Sequence, residues 1–85
     1  MGSVIVSFKI MPEGIETDLD SIERELKEKI NPQRIKIVPV AFGLNAIEIV
    51  KLVEEKEGEM DRITNEIKKI HGVREVEVKD LTRSI

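Results

Sequence analysis

No cysteine, tryptophan or tyrosine occurs in the 85 residues. The first absence removes disulfides, thiolate zinc sites and thiol nucleophiles together. With His71 as the single imidazole, a zinc site would have to be mostly carboxylate, a donor set that zinc seldom takes. Aromatics are reduced to Phe8 and Phe42, and 14 Lys+Arg stand against 17 Asp+Glu for a formal net charge of -3. A protein that tracks a phosphate backbone shows a basic face and, for single strands, stacking platforms. This chain offers neither, which argues against direct nucleic-acid binding. No run is long and apolar enough to cross a bilayer, and the opening apolar segment is interrupted by Lys9 without a signal-peptide cleavage pattern, so a cytoplasmic protein is expected. The five glycines, at positions 2, 14, 43, 58 and 72, form neither a P-loop nor a dinucleotide fingerprint. Carboxylates are plentiful but fall on helical wet faces or in one acidic turn, so no acid and base pair off. Neither an enzyme nor a cofactor is expected.

What is present is a small amphipathic domain. A chain of this size buries somewhat above ~60% of its unfolded surface, enough for a single core. Charged residues reach 36% with the signs interspersed, a composition that suits the ion-pair networks of a heat-adapted surface.

Val4, Val6, Phe8 and Ile10 alternate with Ile5, Ser7, Lys9 and Met11, which predicts a first strand with one apolar face, ended by Pro12 and Gly14. Asp18 or Thr17 can cap a helix whose stripe is Leu19, Ile22, Leu26 and Ile30, with Glu23 and Lys27 paired one turn apart. Asn31-Pro32 breaks it. Residues 34–40 alternate weakly around Pro39, the pattern of an edge strand. Residues 44–53 are apolar on both faces apart from Asn45, Glu48 and Lys51, the pattern of a central strand. Glu54-Glu55-Lys56-Glu57-Gly58 lacks the ligand spacing of a calcium loop and reads as a solvated turn. Met60, Ile63, Ile67 and Ile70 mark a second helix, closed by His71 and by Gly72 in the left-handed C′ position. Val73, Val76 and Val78, among Glu75, Glu77 and Lys79, give a last strand, leaving residues 81–85 as a short terminus.

The order strand, helix, strand, strand, helix, strand has a compact right-handed solution. It is the α+β, ferredoxin-like βαββαβ sandwich, a four-stranded antiparallel sheet in order 4-1-3-2 with two helices on one face. That topology sends the hairpin between the second and third strands to one end of the domain and the last strand's end to the other. Phe42 and Arg83 are therefore expected at opposite ends.

The run Pro39-Val40-Ala41-Phe42-Gly43-Leu44 separates two strand patterns. Phe8 sits in an alternating strand and is a core residue. Phe42 lies beside a glycine at a reversal, and two readings stand: an aromatic folded back onto the core, or an exposed docking side chain.

Three stretches carry a resemblance. Met11-Pro12 followed by Asp18-Leu19, the run from Pro39 to Leu44, and the ending Val76-Glu77-Val78-Lys79-Asp80-Leu81-Thr82-Arg83 resemble the archaeal translation elongation factor 1-beta family, guanine-nucleotide exchange factors for the GTPase elongation factor 1-alpha. The likeness extends over essentially all of residues 1–85, which it marks as a single exchange domain, without the long N-terminal extensions of eukaryotic relatives. It implies a two-ended grip on the GDP-bound GTPase. Pro39, Ala41, Phe42 and Gly43 would dock the loop aromatic on the partner's second domain. Leu81 and Arg83 would bring the C-terminal end between the switch regions to disrupt the Mg²⁺ site. Eukaryotic members carry a lysine next to the chain end; Arg83 stands at the matching position, followed by Ser84 and Ile85. The resemblance implies protein biosynthesis as the setting and a free protein that is a monomer. The competing class is a ferredoxin-like regulatory or assembly module that binds a small ligand or its own copy through the sheet. RNA binding on the sheet is disfavoured because the central strands lack stacking aromatics.

Overall fold

Period-two alternation decides the first strand. In the computed structural model, which describes residues 2–84, β1 (Ser3–Pro12) buries Val4, Val6, Phe8 and Ile10 on one side. The remaining elements follow the expected order: α1 (Leu19–Lys29), β2 (Arg34–Pro39), β3 (Asn45–Glu54), α2 (Glu59–Lys68) and β4 (Val73–Ser84). All strand pairs are antiparallel and the sheet order is β2-β3-β1-β4, which is 4-1-3-2 read from the other edge. Strands β1 and β3 are central, as their apolar character predicts. The apolar stripes of both helices join one face of the sheet in a single core, where Ile22, Leu26, Ile63 and Ile67 meet Val6, Phe8, Ile47 and Ile49.

The start of α1 is fixed locally. Asp18 caps it, its Oδ1 accepting the Ser21 N–H at 3.3 Å, while Thr17, the other candidate, turns back to accept the Gly14 N–H at 3.0 Å. Asn31 takes a left-handed φ of 54° and gives its N–H to the Leu26 carbonyl at 3.0 Å, closing the helix before Pro32. Replacing Asp18 by Ala leaves the Ser21 amide uncapped and should cost about 1 kcal/mol. Thermal melting of the variant is expected roughly 4–8 °C lower. The ion pair on this helix joins Glu25 to Lys29 at 3.9 Å; Glu23, expected to pair with Lys27, is half-buried instead.

Two further expectations need correction. Helix α2 ends at Lys68 with Lys69 as its cap, short of His71 and Gly72. Gly72 does have a positive φ of 97°, but its role is close approach. A Cβ there would stand 2.9 Å from Thr17 Cγ2 and 3.3 Å from Ile22 Cδ1, and its carbonyl accepts the Glu13 N–H at 2.9 Å. The glycine lets the entry to β4 press against the start of α1. His71 is exposed beyond the helix end.

The second correction concerns residues 81–84, expected as part of a short terminus after the last strand and found inside β4. Ile85 lies outside the described residues. The register explains why the pattern concealed the strand. Phe8 faces Val78 and Ser7 faces Asp80, so Lys79 is an extra residue, and the pairing resumes as Val6 with Leu81 and Val4 with Arg83. A bulge of one residue flips side-chain parity. Val78 and Leu81, three apart in sequence, thereby share the helix-side face.

Candidate functional site

The register fixes where the two ends lie. Pro39 pairs with Asn45 at the mouth of the β2–β3 hairpin, whereas Val53 and Arg83 both pair with Val4 near the start of β1. Those levels are separated by the rise of β3 from Asn45 to Val53, roughly 26 Å at ~3.3 Å per residue. Phe42 and Arg83 sit at opposite ends of a body whose long dimension is 42 Å.

At the hairpin end, Val40 donates to the Leu44 carbonyl at 2.8 Å and Leu44 to the Ala41 carbonyl at 3.3 Å. Phe42 and Gly43, the two residues between Ala41 and Leu44, have φ of 61° and 76°. Positive φ at both central positions is the signature of the reversal that matches the twist of flanking strands. Gly43 adopts it freely. Phe42 does not, because a side chain in the left-handed region costs roughly 1–2 kcal/mol. Packing does not offset that cost, since Phe42 is 94% exposed. The open question about this residue is thus settled for exposure. Pro39, Ala41 and Gly43 are exposed around it, so the structure brings these four candidate residues together on one tip.

Leu81 and Arg83 are the remaining candidates, set apart from the tip. Leu81 is 51% exposed. Arg83 lies on the edge strand with its guanidinium 3.3 Å from the Glu55 carboxylate. Glu55 is held in turn, its N–H donating to the Gly2 carbonyl at 3.0 Å. Three pieces of chain meet there: the start of β1, the turn after β3 and the end of β4. Beside them lies an open recess of about 480 Å³ lined by Gly2, Ser3, Glu54, Glu55 and Lys56. The sequence pattern placed Glu55 in a solvated turn, and that turn is exposed. Its pairing with Arg83 had no local signal, because the two residues meet only through the sheet register. Further along, the Arg62 side chain donates to Glu59 at 2.6 Å and holds that carboxyl below its ordinary range. The contact is present at neutral pH and is lost as pH falls through the lowered folded value.

The open face of the sheet carries Ile5 and Leu52, directly opposed across β1 and β3 and both part-exposed. Four residues back along β3 the same face carries Glu48, bridged to Lys36 at 3.8 Å. No helix is long and apolar enough to cross a membrane among the described residues.

The molecule is a ferredoxin-like α+β sandwich with a strained, exposed aromatic at one pole and an arginine at the other. The sequence matches the family model of the EF-1 guanine nucleotide exchange domain over residues 5–83. Similar proteins include elongation factor 1-beta of Methanococcoides burtonii, 39% identical with all of both chains covered. That of Thermoplasma acidophilum is 37% identical over 96% of this chain and 98% of its own, and that of Methanocorpusculum labreanum 36% identical over 98% of each. The chain belongs to the EF-1 guanine nucleotide exchange domain family.

Proposed function

We propose that this protein is a guanine-nucleotide exchange factor of translation elongation, a single domain that binds GDP-bound elongation factor 1-alpha in the cytoplasm and accelerates GDP release. The observation that carries the reading is Phe42, an aromatic held at φ 61° with its ring almost wholly in solvent. Strain without packing compensation is retained where a function requires it. In a family of exchange domains that function is docking.

The mechanism needs no covalent chemistry by this chain. Phe42, with Pro39, Ala41 and Gly43, seats on the partner and fixes the domain's orientation. The opposite pole, with Leu81 and Arg83, then reaches the nucleotide region and places a positive charge against the partner's Mg²⁺. Mg²⁺ screens the phosphates of GDP, so a factor that expels the ion weakens nucleotide affinity. By reciprocity, nucleotide weakens binding of the factor equally, and excess GTP sets the direction.

Release of a fluorescent GDP analogue from archaeal elongation factor 1-alpha, with and without this protein, tests the reading. Acceleration by catalytic amounts is the expected result; an unchanged rate would overturn it. The part-exposed Ile5 and Leu52 favour the second reading, a module that pairs through its sheet. A single monomeric species in analytical ultracentrifugation counts against pairing.

Glu55 competes for Arg83 in the free protein. Glu55→Gln is expected to raise the release rate at saturating factor, by at most about threefold because exposed ion pairs are weak. The same titration of factor against GDP release measures it.

A further inference from the structure

Among the described residues, two large apolar side chains stand more exposed than any others: Phe42 at 94% and Ile15 at 72%. The topology sets them at the same end. Beyond the last β1–β3 pair, Ile10 with Ile47, β1 leaves the sheet at Pro12 and β3 enters it at Asn45. The β1–α1 loop and the β2–β3 reversal therefore emerge beside each other, from strands about 4.8 Å apart.

An isolated exposed isoleucine needs no explanation. Ile15 differs in how its backbone is held. The Gly14 N–H donates to Thr17 Oγ1 at 3.0 Å while the Thr17 N–H donates to the Gly14 carbonyl at 3.2 Å. The two bonds close a four-residue turn from both sides, with Ile15 at its first corner. One residue before the turn, the Glu13 N–H is tied to the Gly72 carbonyl at 2.9 Å, and one residue after it Asp18 caps α1. Ile15 thus shares the combination found at Phe42, a fixed backbone and a side chain left in solvent. Three exposed carboxylates, Glu13, Glu16 and Asp18, lie within three residues of it in the chain and line one shallow recess together with Ser21 and His71.

We infer that Ile15 is a second apolar anchor for the same GTPase, seating in a shallow apolar depression with a basic rim, next to the surface that receives Phe42. This inference rests on the exchange-factor reading. A side chain on a turn already closed loses little freedom on binding, so its burial counts towards affinity. An apolar centre with a polar rim is the usual anatomy of such a contact, and the three flanking carboxylates favour a basic partner surface and speed encounter at low salt.

Titration of the full chain against elongation factor 1-alpha carrying a fluorescent GDP analogue tests it, using Ile15→Ser, Ile15→Leu and Phe42→Ala. Ile15→Ser is expected to raise the half-saturating concentration about tenfold while leaving the release rate at saturation unchanged. Ile15→Leu is expected to restore it to within about twofold. The exposed position keeps melting temperatures alike, so a loss is not a folding defect. If Ile15→Ser titrates like the parent while Phe42→Ala is impaired, the second anchor is refuted and the exchange reading stands. If the parent itself leaves GDP release unchanged, both fall.

Discussion

Phe42→Ala is expected to raise the concentration of factor needed for half-maximal GDP release by roughly 30-fold or more, the cost of a central aromatic anchor at ~2 kcal/mol or above. Its melting temperature should stay at or near that of the parent, because the ring touches almost nothing in the free protein. Phe42→Asn separates the two properties further. Asparagine tolerates the left-handed region, and Asn-Gly is the preferred pair for this reversal. The variant should be equally impaired in exchange yet more stable, by up to ~1 kcal/mol as the strain at φ 61° is relieved. Measured together, exchange kinetics and thermal melts would show stability rising as function falls. A Phe42→Asn variant that exchanges normally would remove the loop aromatic from the mechanism.

Arg83→Ala is expected to act differently, lowering the release rate at saturation by about tenfold or more while changing the half-saturating concentration little, since the charge is used after docking. Arg83→Lys should recover most of the rate, because it keeps the positive charge and carries it on a compact ammonium in place of the planar guanidinium. Truncation after Leu81 would be a poor substitute for the point change. Thr82 and Arg83 pair with Ile5 and Val4, so removing them strips backbone bonds from a central strand and mixes a stability loss into the kinetic one. An Arg83→Ala variant with parental kinetics would leave the second half of the grip without its charged group.

Much of this was legible in the chain itself, for reasons that differ from element to element. In β1 the apolar residues fall on every second position, and a strand with that pattern can bury only one face. In α1 an acidic cap, a stripe at three- and four-residue steps and an Asn-Pro stop are each local, so the helix reads correctly almost to the residue. The candidate loop could be located from Pro39 and Gly43, but whether Phe42 lay in or out could not be read. A hairpin aromatic has both options, and the choice depends on whether the body below offers a vacancy. Here the core is closed by Phe8 and the helices, and Phe42 is left outside.

The sequence by itself determined the order of elements, the central place of β1 and β3 and hence the opposite placing of Phe42 and Arg83, because periodicity, caps and breakers act within a few residues. Only the tertiary structure decided three things. It carried β4 on through residue 84, since a bulge at Lys79 restores a parity that the linear pattern loses. It gave Gly72 its role, since the contact that forbids a side chain there comes from Thr17 and Ile22, far away in the chain. And it joined Arg83 to Glu55 and set Ile15 at the same end as Phe42, because register across a sheet brings together residues whose local surroundings carry no mark of each other.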